Sequence, residues 1–304
     1  MASRPLKTAL VTRGYTQALK DGTVAPRGFA LDVEEVPVII QAFRRMVRGL
    51  EFDVCEMALT TYVCARAHGK RFTAIPVFPM RAFHHSAIVR NTASGIQRPA
   101  DLEGHRVGVN RGYTVTTGVW ARGILQHHYG VDLNRITWVL SGDEHVTEWK
   151  RPSNVVPMGD GRPMEDRLVS GEIPAAINVQ IDSPHVKPLI PNPTEAAFDA
   201  LRTHGLYPIN HTVVVKDELL DAHPDLASAL FEAFAEAKRQ YMNRIDDPLL
   251  LRVKEAIGDP LPYGIDSNRH MIETLVQYAF EQGIISRRFA AEELFAAGTH
   301  RMNA

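Results

Sequence analysis

The sequence predicts an α/β protein with two lobes. Short apolar runs of β type alternate with segments in which apolar residues recur at helical spacing, and this alternation is typical of parallel-rich sheets that pack against helices. The alternation begins again near Asp101, which predicts a second sheet. The length of 304 residues exceeds the usual size of one domain and fits two domains of about 150 residues each.

The first sheet is predicted from runs that lie before Asn91. Leu6–Val11 is a strand that ends in the loop Thr12–Tyr15, where the carboxyl end of a strand can present side chains to a ligand. From Ile39 to Leu50 the apolar residues recur at helical spacing, which predicts a helix over Val38–Leu50. The remaining predicted elements are strands at Leu31–Val36, Phe52–Met57, Ala74–Phe78 and Ser86–Arg90 and a helix at Ala58–His68.

The second sheet is predicted from runs after Asp101. Arg106–Asn110 is a strand, the loop Arg111–Thr114 follows it, and Val115–Tyr129 is a helix for which Thr114 is a candidate cap. Further elements are strands at Ile136–Leu140 and Ala175–Val179, a helix at Met164–Ser170, and a Pro/Gly-rich loop at Arg151–Arg162. After the strand Thr212–Lys216 the pattern is helical, over Pro224–Arg244, Leu249–Ile257, Ser267–Gln282 and Phe289–Ala297.

Composition and charge exclude several classes of protein. The chain has 34 basic and 35 acidic residues and a net charge of −1, so it has no global field for nucleic acid or an anionic membrane surface. No apolar run approaches the ~18 residues of a membrane span, so no membrane insertion is expected. Cys55 and Cys64 are the two cysteines, and we expect both to be buried and reduced. The apolar run after Lys7 is shorter than a signal-peptide core, which favours a cytoplasmic location.

The segment Phe78–Asn91, FPMRAFHHSAIVRN, sets one arginine and two histidines between apolar runs. Arg81 can hold a carboxylate with two parallel hydrogen bonds, and His84 and His85 can each donate or accept a proton near neutral pH. Adjacent residues of an extended chain point to opposite faces, so only one of the two histidines is expected to enter a site. The alternative is that all three residues lie on the rim of a loop at a strand edge.

Ligands of open α/β sheets bind beside the carboxyl ends of strands and between domains. The candidate binding segments are therefore the loops beside predicted strands: Arg13–Tyr15, Glu56–Thr61, Arg81–His85, Arg111–Thr117 and Asn210–His211. The helix that starts after Thr114 adds N–H groups that favour an anion. His127 and His128 lie at the other end of that helix, where we expect a structural role, because rings about 100° apart on a helix do not ligate one metal together.

Several segments carry a resemblance to known proteins. DLEGHRVGVNRGYTVTTGVWARGIL resembles the start of the second lobe in the type II periplasmic binding-protein fold. FDVCEMALTTYV, VFPMRAFHHSAIVRN, GYTVTTGVWARGILQHHYGV and LYPINHTVVVKDELL are similar, in order and spacing, to the 4,5-dihydroxyphthalate decarboxylase family, which uses this fold as an enzyme. The resemblance spans most of the chain and implies two lobes with a ligand cleft between them. It implies a first lobe of residues 1–90 and 211–304, interrupted by a second lobe of residues 91–210.

The resemblance implies an enzyme that removes one carboxylate, as carbon dioxide, from an aromatic ortho-dicarboxylate such as 4,5-dihydroxyphthalate and leaves a protocatechuate-type product. It implies no cofactor, and the sequence leaves a divalent metal and a homo-oligomer open. The family also contains proteins known only as binding proteins, so the alternative is a non-catalytic solute-binding protein for a small aromatic carboxylate, of the ABC-transporter type. A third alternative is a different lyase or carboxylase-like activity on a related ring acid.

Such a reaction needs a cation for the carboxylate that stays, a proton donor at the ring carbon and a base at the phenol. We expect Arg81 to bind the carboxylate and His85 to donate the proton. His211 is the candidate base, and Glu56, unusual in an apolar strand, orients a histidine or accepts the phenol proton. The alternatives are a hinge histidine at position 211 and a helix-capping carboxylate at position 56.

Further substrate contacts are expected from the neighbouring loops. They are Arg13, Tyr15, Tyr113, Thr114, Thr116, Thr117 and Asn210. Tyr113 lies between Gly112 and Thr114, so we expect an open loop with the ring toward the ligand. Arg122 is a weaker candidate for the carboxylate, and its alternative is a solvated helix face.

Overall fold

The computed structural model describes residues 4–159 and 161–304. The chain divides into two compact units. The first unit comprises the described residues up to Arg81, together with Ile209–Thr274 and Arg288–Ala304, and the second comprises Ala82–Pro208 and Leu275–Arg287.

Strands and helices alternate along much of the chain, which confirms the predicted α/β class. Over the described residues, the strands are β1 (Arg4–Ala9), β2 (Phe29–Val33), β3 (Val54–Ala58), β4 (Phe72–Arg81), β5 (Ile88–Asn91), β6 (Arg106–Val109), β7 (Thr137–Leu140), β8 (Val155–Pro157), β9 (Ala175–Ile177), β10 (Val186–Pro188) and β11 (Ile209–Lys216). The α-helices are α1 (Gln17–Lys20), α2 (Ile39–Gly49), α3 (Leu59–Ala67), α4 (Thr116–Tyr129), α5 (Met164–Ser170), α6 (Pro193–His204), α7 (Asp217–Ala222), α8 (Leu226–Met242), α9 (Pro248–Ile257), α10 (Arg269–Glu281) and α11 (Ala291–Leu294).

The first unit contains a five-stranded sheet in the order β2-β1-β3-β11-β4. Strand β1 runs parallel to β2 and β3, as expected for strands that alternate with helices. Strand β11 runs antiparallel to both β3 and β4. Because β11 brings the chain back from the second unit, no crossover helix fixes its direction. The middle of this sheet therefore joins residues that are far apart in the sequence.

The second unit contains a six-stranded sheet in the order β10-β5-β9-β6-β7-β8. Strand β6 is parallel to β7 and β9, and β7 is parallel to β8. Strand β5 is antiparallel to β9 and β10. Buried apolar residues from strands and from α5 form a core on this sheet, among them Val89, Val139, Leu168 and Ala176.

Two helices differ in how they use their apolar residues. Helix α2 buries Ala42, Phe43, Met46 and Val47, which lie on one face. Helix α4 is buried on nearly all sides over its first ten residues. A helix that is apolar all round lies inside its domain, so any polar residue of this stretch is also buried.

Strands β4 and β11 are longer than the sequence predicts. Strand β4 lies at the sheet edge and contains Pro76 and Pro79, which lack the N–H group of a regular ladder. Their carbonyl groups accept from Gly264 N–H and from the Tyr15 hydroxyl, each at 2.8 Å. Arg81 consequently ends a strand instead of lying in a loop. In the same way, β11 begins at Ile209, so Asn210 and His211 lie within a strand.

Two further features differ from the sequence prediction. The sequence places residues 275–287 in the first lobe, whereas Leu275–Arg287 packs in the second unit, where Gln282 accepts a hydrogen bond from Arg122. Helix α6 is not predicted, although Pro193 at its first position is a common start signal.

Cys55 and Cys64 are buried, and among the described residues neither forms a disulfide, as predicted. Within the described ranges, none of the helices combines the length and the apolar character that crossing a membrane requires.

Candidate functional site

Glu56 and His211 lie on neighbouring strands of the first sheet. In the antiparallel register of β3 and β11, His211 pairs with Ala58 and Val213 pairs with Glu56. Side chains alternate along a strand, so Glu56 shares a face with Ala58 and hence with His211. This diagonal placement brings Glu56 Oε1 to 2.6 Å from His211 Nδ1. Phe43 packs edge-on against the imidazole, with ring centres 5.1 Å apart.

Arg13 reaches the same carboxylate from the loop after β1. Its Nη1 donates to Glu56 Oε2 at 2.9 Å and its Nη2 donates to Oε1 at 2.8 Å, which is the fork of an arginine–carboxylate pair. The Val11 N–H adds a third bond to Oε2, at 3.1 Å. Thr16 fixes the loop, because its hydroxyl accepts from Arg13 N–H and donates to Val11 O, each at 2.7 Å. The loop thus places one guanidinium on one buried carboxylate.

Glu56 is fully buried and nevertheless ionised. Burial by itself raises the pKa of this carboxyl, but Arg13 and His211 outweigh burial and lower the pKa to about 2. An ionised carboxylate has no proton to donate, so the hydrogen of the Glu56–His211 bond resides on Nδ1 of the imidazole. Nε2 of His211 is therefore the nitrogen left for a ligand. His211 keeps 12% of its side chain exposed.

Tyr15 is close to Arg13 in the sequence, but its hydroxyl group is hydrogen-bonded within the protein. Its hydroxyl donates to Pro79 O at 2.8 Å, and its ring packs edge-on against Tyr241, with centres 5.6 Å apart. Gly14 permits this packing, because a Cβ there would lie 2.2 Å from Cε2 of Tyr241. The two tyrosines and Leu261 form a small core that supports the Arg13 loop.

Arg81 is held by Asn268, a residue that sequence reasoning missed. Arg81 Nη2 donates to Oδ1 of Asn268. The amide nitrogen of Asn268 donates to Pro262 O at 3.0 Å and to Gly264 O at 2.7 Å, which fixes the amide. The pair is 187 positions apart, so no local spacing could have indicated it. Asn210, next to His211 on β11, is buried.

His84 and His85 lie in the second unit and are not in extended chain. His84 precedes, and His85 begins, the 3₁₀-helix His85–Ala87. They are 3% and 2% exposed, which excludes the alternative of two rim histidines. Burial, with a smaller contribution from His128, lowers the pKa of His85 to about 4. His85 is therefore a neutral imidazole near pH 7, and its Nδ1 has no hydrogen-bond partner among the described residues.

His127 and His128 of the second unit have partners typical of a structural role. His127 lies 2.7 Å from Glu281 and stacks on Tyr278, with ring centres 4.7 Å apart. His128 packs edge-on against His204 at 5.0 Å. In the part of the chain that the structure describes, no three His, Cys, Asp or Glu side chains are arranged to hold a metal ion.

The loop before α4 binds a carboxylate of the chain itself. Glu144 Oε1 accepts from Tyr113 N–H at 2.5 Å, and Glu144 Oε2 accepts from Thr114 N–H at 3.1 Å and from the Thr114 hydroxyl at 2.6 Å. Thr114 is therefore not the cap of α4, which begins at Thr116 and Thr117 without a side-chain cap. Sequence reasoning missed Glu144, because it lies in a segment that has neither helix nor strand periodicity.

Tyr113 and Arg122 are buried together. Tyr113 is 3% exposed and stacks on Trp149, with ring centres 5.7 Å apart. Arg122 is fully buried, and its guanidinium carbon lies 3.7 Å from the centre of the Tyr113 ring. The expected open loop at Tyr113 is wrong, because this ring is buried against Trp149. The alternative of a solvated Arg122 is also wrong, because Arg122 lies in a part of α4 that is buried on nearly all sides.

Solved structures with a similar fold include a binding protein and an enzyme. The periplasmic aliphatic sulphonate binding protein SsuA from Escherichia coli matches with a TM-score of 0.56 at 12% identity, over 99% of this chain and 100% of SsuA. The desulfurization enzyme DSZB matches with a TM-score of 0.55 at 14% identity, over 96% of each chain. At such low identities the likeness shows the fold alone, which is periplasmic-binding-protein-like.

Comparison with known sequences identifies the family of the chain. No family model matches the chain. A 4,5-dihydroxyphthalate decarboxylase of Comamonas testosteroni is 33% identical, and the match covers 97% of this chain and 97% of that protein. With this identity over nearly the full length of both proteins, the chain belongs to the 4,5-dihydroxyphthalate decarboxylase family.

Proposed function

We propose that the chain is a carboxy-lyase that removes one carboxylate from an aromatic ortho-dicarboxylate, such as 4,5-dihydroxyphthalate, without a cofactor. The product is a dihydroxybenzoate of the protocatechuate type. The observation that carries the proposal is the cluster of Arg13, Glu56 and His211, in which a buried, ionised carboxylate orients one histidine. The decarboxylase name of the Comamonas testosteroni relative supports the reaction class.

Loss of carbon dioxide from an aromatic ring requires a proton at the carbon that bears the leaving carboxylate. A hydroxyl group para to that carbon pushes electron density into the ring, and the carbon accepts the proton. The bond to the carboxylate then breaks, carbon dioxide leaves, and the electron pair of that bond restores the aromatic ring. Each turnover consumes one proton and needs no oxidant or reductant.

His211 supplies this proton from Nε2. Glu56 holds Nδ1–H, so the ring is fixed in one orientation with Nε2 directed away from the carboxylate. A charged histidine carries a proton on both nitrogens, so Nε2 can donate while Nδ1–H stays bound to Glu56. General-acid catalysis contributes ~10²–10⁴-fold when the donor is within hydrogen-bond reach of the reacting atom, which is why orientation matters. After carbon dioxide leaves, His211 regains its proton from water.

The sequence favours His85 as the proton donor, but its surroundings favour a neutral ring. Burial lowers the pKa of His85 to about 4, so near pH 7 the ring lacks the second proton that an acid needs. His211 is in contact with an ionised carboxylate and is partly exposed. We therefore assign the proton transfer to His211 and a packing role to His85.

Arg81 is the cation that we assign to the carboxylate that stays on the ring. Asn268 holds the Nη2 end of its guanidinium, so the side chain is already oriented. Arg13 is less suited to this role, because its fork is already taken by Glu56. Its task is to keep Glu56 ionised and in place.

The second candidate is a solute-binding protein that binds an aromatic carboxylate without turnover. Its support is the fold, since SsuA is named as a binding protein. DSZB, named as an enzyme, has the same fold, so the fold is compatible with both functions. Only turnover separates the two candidates.

The deciding experiment is incubation of the purified protein with 4,5-dihydroxyphthalate in D₂O, without added cofactor and with a chelator in a parallel sample. We expect carbon dioxide and a dihydroxybenzoate with one deuterium at the carbon that lost the carboxylate, in both samples. The His211→Gln variant is the control, and we expect its rate of carbon dioxide release to be lower by about 10²-fold or more. Saturable binding without carbon dioxide release would replace the enzyme with the solute-binding protein, and loss of turnover with chelator would establish a metal requirement.

A further inference from the structure

The loop between β6 and α4 presents three hydrogen-bond donors to one carboxylate. They are the N–H groups of Tyr113 and Thr114 and the hydroxyl of Thr114, and all three are bound by Glu144. We call these three donors the carboxylate cradle. Gly112 makes the close approach possible, because a Cβ there would lie 2.6 Å from Glu144 Oε2 and 2.9 Å from Asp143 O.

A buried positive charge lies behind the cradle. Arg122 Nη2 donates to the carbonyl oxygen of Tyr113 at 2.6 Å, and Nε donates to Gln282 Oε1 at 2.9 Å. Nη1 is buried and has no hydrogen-bond partner among the described residues. It lies 2.9 Å from the position that a Cβ of Gly118 would take, which places it at the first turn of α4.

The buried charge of Arg122 therefore favours a bound anion near the start of α4. A guanidinium that is fully buried is costly unless a negative charge compensates it, and among the described residues Arg122 has no carboxylate within ion-pair distance. The positive end of the 14-residue helix α4 adds to the same potential. The unpartnered Nη1 is an observation independent of the helix end, and both favour a negatively charged group at this place.

Glu144 brings a negative charge to the cradle from a flanking segment, and this charge acts on Arg122 from beyond ion-pair distance. Its side chain is only partly buried, and the chain around it has neither helix nor strand from Ser141 to Lys150. The residues that carry the donors are almost fully buried, since Tyr113 and Thr114 are 3% and 1% exposed. A partly buried carboxylate is thus held by donors from two buried residues.

We propose that the cradle is a binding site for a ligand carboxylate, and that Glu144 occupies it as an internal competitor that the ligand displaces. The inference rests on the proposed function for its ligand class, an aromatic dicarboxylate. Only molecules in which Glu144 has left the cradle can bind the ligand carboxylate. The apparent dissociation constant of the ligand therefore equals the intrinsic one divided by the fraction of such molecules. Removal of the Glu144 carboxylate should therefore tighten ligand binding, whereas removal of a residue that only supports the loop should weaken it.

The test is calorimetric titration of the full chain with phthalate. Phthalate lacks the ring hydroxyl groups that drive carbon dioxide loss, so its binding is measured without turnover. We expect Glu144→Ala to bind phthalate about tenfold more tightly than the unchanged protein, which would show that the two carboxylates compete. Glu148→Ala is the matched control, because it removes the same charge from an exposed position of the same segment and should leave the affinity unchanged.

A second pair of variants keeps the result unambiguous. Glu144→Gln retains the shape of the side chain, and we expect a smaller gain in the same direction if Glu144→Ala does not fold. In the Glu144→Ala background, Thr114→Val removes one donor of the cradle and should reverse most of the gain. The proposal is overturned if both Glu144 variants bind phthalate no more tightly than the unchanged protein, or show no detectable binding. It is also overturned if the gain in affinity of Glu144→Ala persists after Thr114→Val is added.

Failure of this inference can be told apart from failure of the proposed function. Tighter phthalate binding without carbon dioxide release from 4,5-dihydroxyphthalate keeps the cradle and removes the enzyme. Carbon dioxide release by the unchanged protein, together with weaker phthalate binding by the Glu144 variants, keeps the enzyme and removes the cradle.

Discussion

The carboxylate of Glu56 lies 2.6 Å from Nδ1 of His211. Burial raises the pKa of this carboxyl, but Arg13 and His211 together lower the pKa to about 2, so the group accepts hydrogen bonds and has no proton to donate at neutral pH. An amide in the same place could donate to Nδ1 and would then select the other form of the neutral ring, with its hydrogen on Nε2. The charge of Glu56 is therefore as important as its shape.

We predict that Glu56→Gln lowers turnover by about 10²-fold or more and lowers the free energy of unfolding by about 3 kcal/mol. Turnover falls because His211 loses its fixed orientation, and stability falls because Arg13 keeps a largely buried charge without a carboxylate. Steady-state kinetics and urea unfolding measure the two effects. Glu218→Gln, whose side chain is 72% exposed, is the control and should change neither. Full turnover in Glu56→Gln would show that His211 needs no ionised partner.

The two histidine assignments predict opposite kinetics. If His211 is the acid, His211→Gln lowers turnover by about 10²–10⁴-fold with little change in substrate affinity. His85→Gln should then keep its turnover near pH 7, because its buried ring is neutral there. Initial rates with 4,5-dihydroxyphthalate for both variants decide between them. A loss of turnover in His85→Gln at unchanged stability would return the proton transfer to His85.

The fold class could be predicted from the sequence, because the alternation of apolar periods is a local property. The position of β11 in the middle of the first sheet could not be predicted from such periods. His211 and Glu56 are 155 positions apart, and their contact depends on the register of two antiparallel strands that belong to distant parts of the chain. The unusual carboxylate in an apolar run indicated Glu56, but nothing local indicated which histidine it would orient.

In the second unit, the sequence of helix α4 indicates that this helix is buried. From Val119 to Leu125, the residues of helix α4 other than Arg122 are apolar or glycine, and this pattern indicates a helix inside its domain. The burial of Arg122 was therefore predictable from the pattern. Glu144 was not, because a loop carries no periodicity and its partners are set by tertiary packing.

We predict that stability falls as the pH is lowered from about 6.5 to 4. Burial lowers the pKa of His85 in the folded chain to about 4 from an ordinary value of 6.5. Between these values the unfolded chain binds a proton that the folded chain does not, so acid favours unfolding, with a loss of about 2 kcal/mol by pH 5. Urea unfolding at pH 7 and at pH 5 measures this loss in the free energy of unfolding.

The matched variant for this pH effect is His85→Gln, which removes the titrating group. It should reduce the difference between pH 7 and pH 5. Part of the difference should remain, because burial also lowers the pKa of His128. An identical difference in His85→Gln and the unchanged protein would show that His85 does not titrate in this range.

We predict that Asn268→Ala weakens substrate binding through Arg81. The amide of Asn268 orients the Arg81 guanidinium, which we assign to the carboxylate that stays. Arg81→Ala should raise the dissociation constant about 10–100-fold, since hydrogen bonds to charged groups contribute about 1.5–3 kcal/mol, and Asn268→Ala should give a smaller rise. Titration with phthalate measures both. Arg71→Ala, an exposed charge of the first unit, is the control, and unchanged affinity in Arg81→Ala would remove the assignment.

The last prediction concerns the loop that carries Arg13. A Cβ at position 14 would lie 2.2 Å from Cε2 of Tyr241, so Gly14→Ala must displace that ring from the core that it forms with Tyr15 and Leu261. We expect the free energy of unfolding to fall by about 1–3 kcal/mol, as for other overpacked cores, and turnover to fall with it because Arg13 is displaced from Glu56. Gly49→Ala is the control, since its Cβ would meet Glu51 at an ordinary 3.4 Å. Tyr241→Leu should restore part of the lost stability in the Gly14→Ala background, and equal losses with and without it would show that the two residues do not interact.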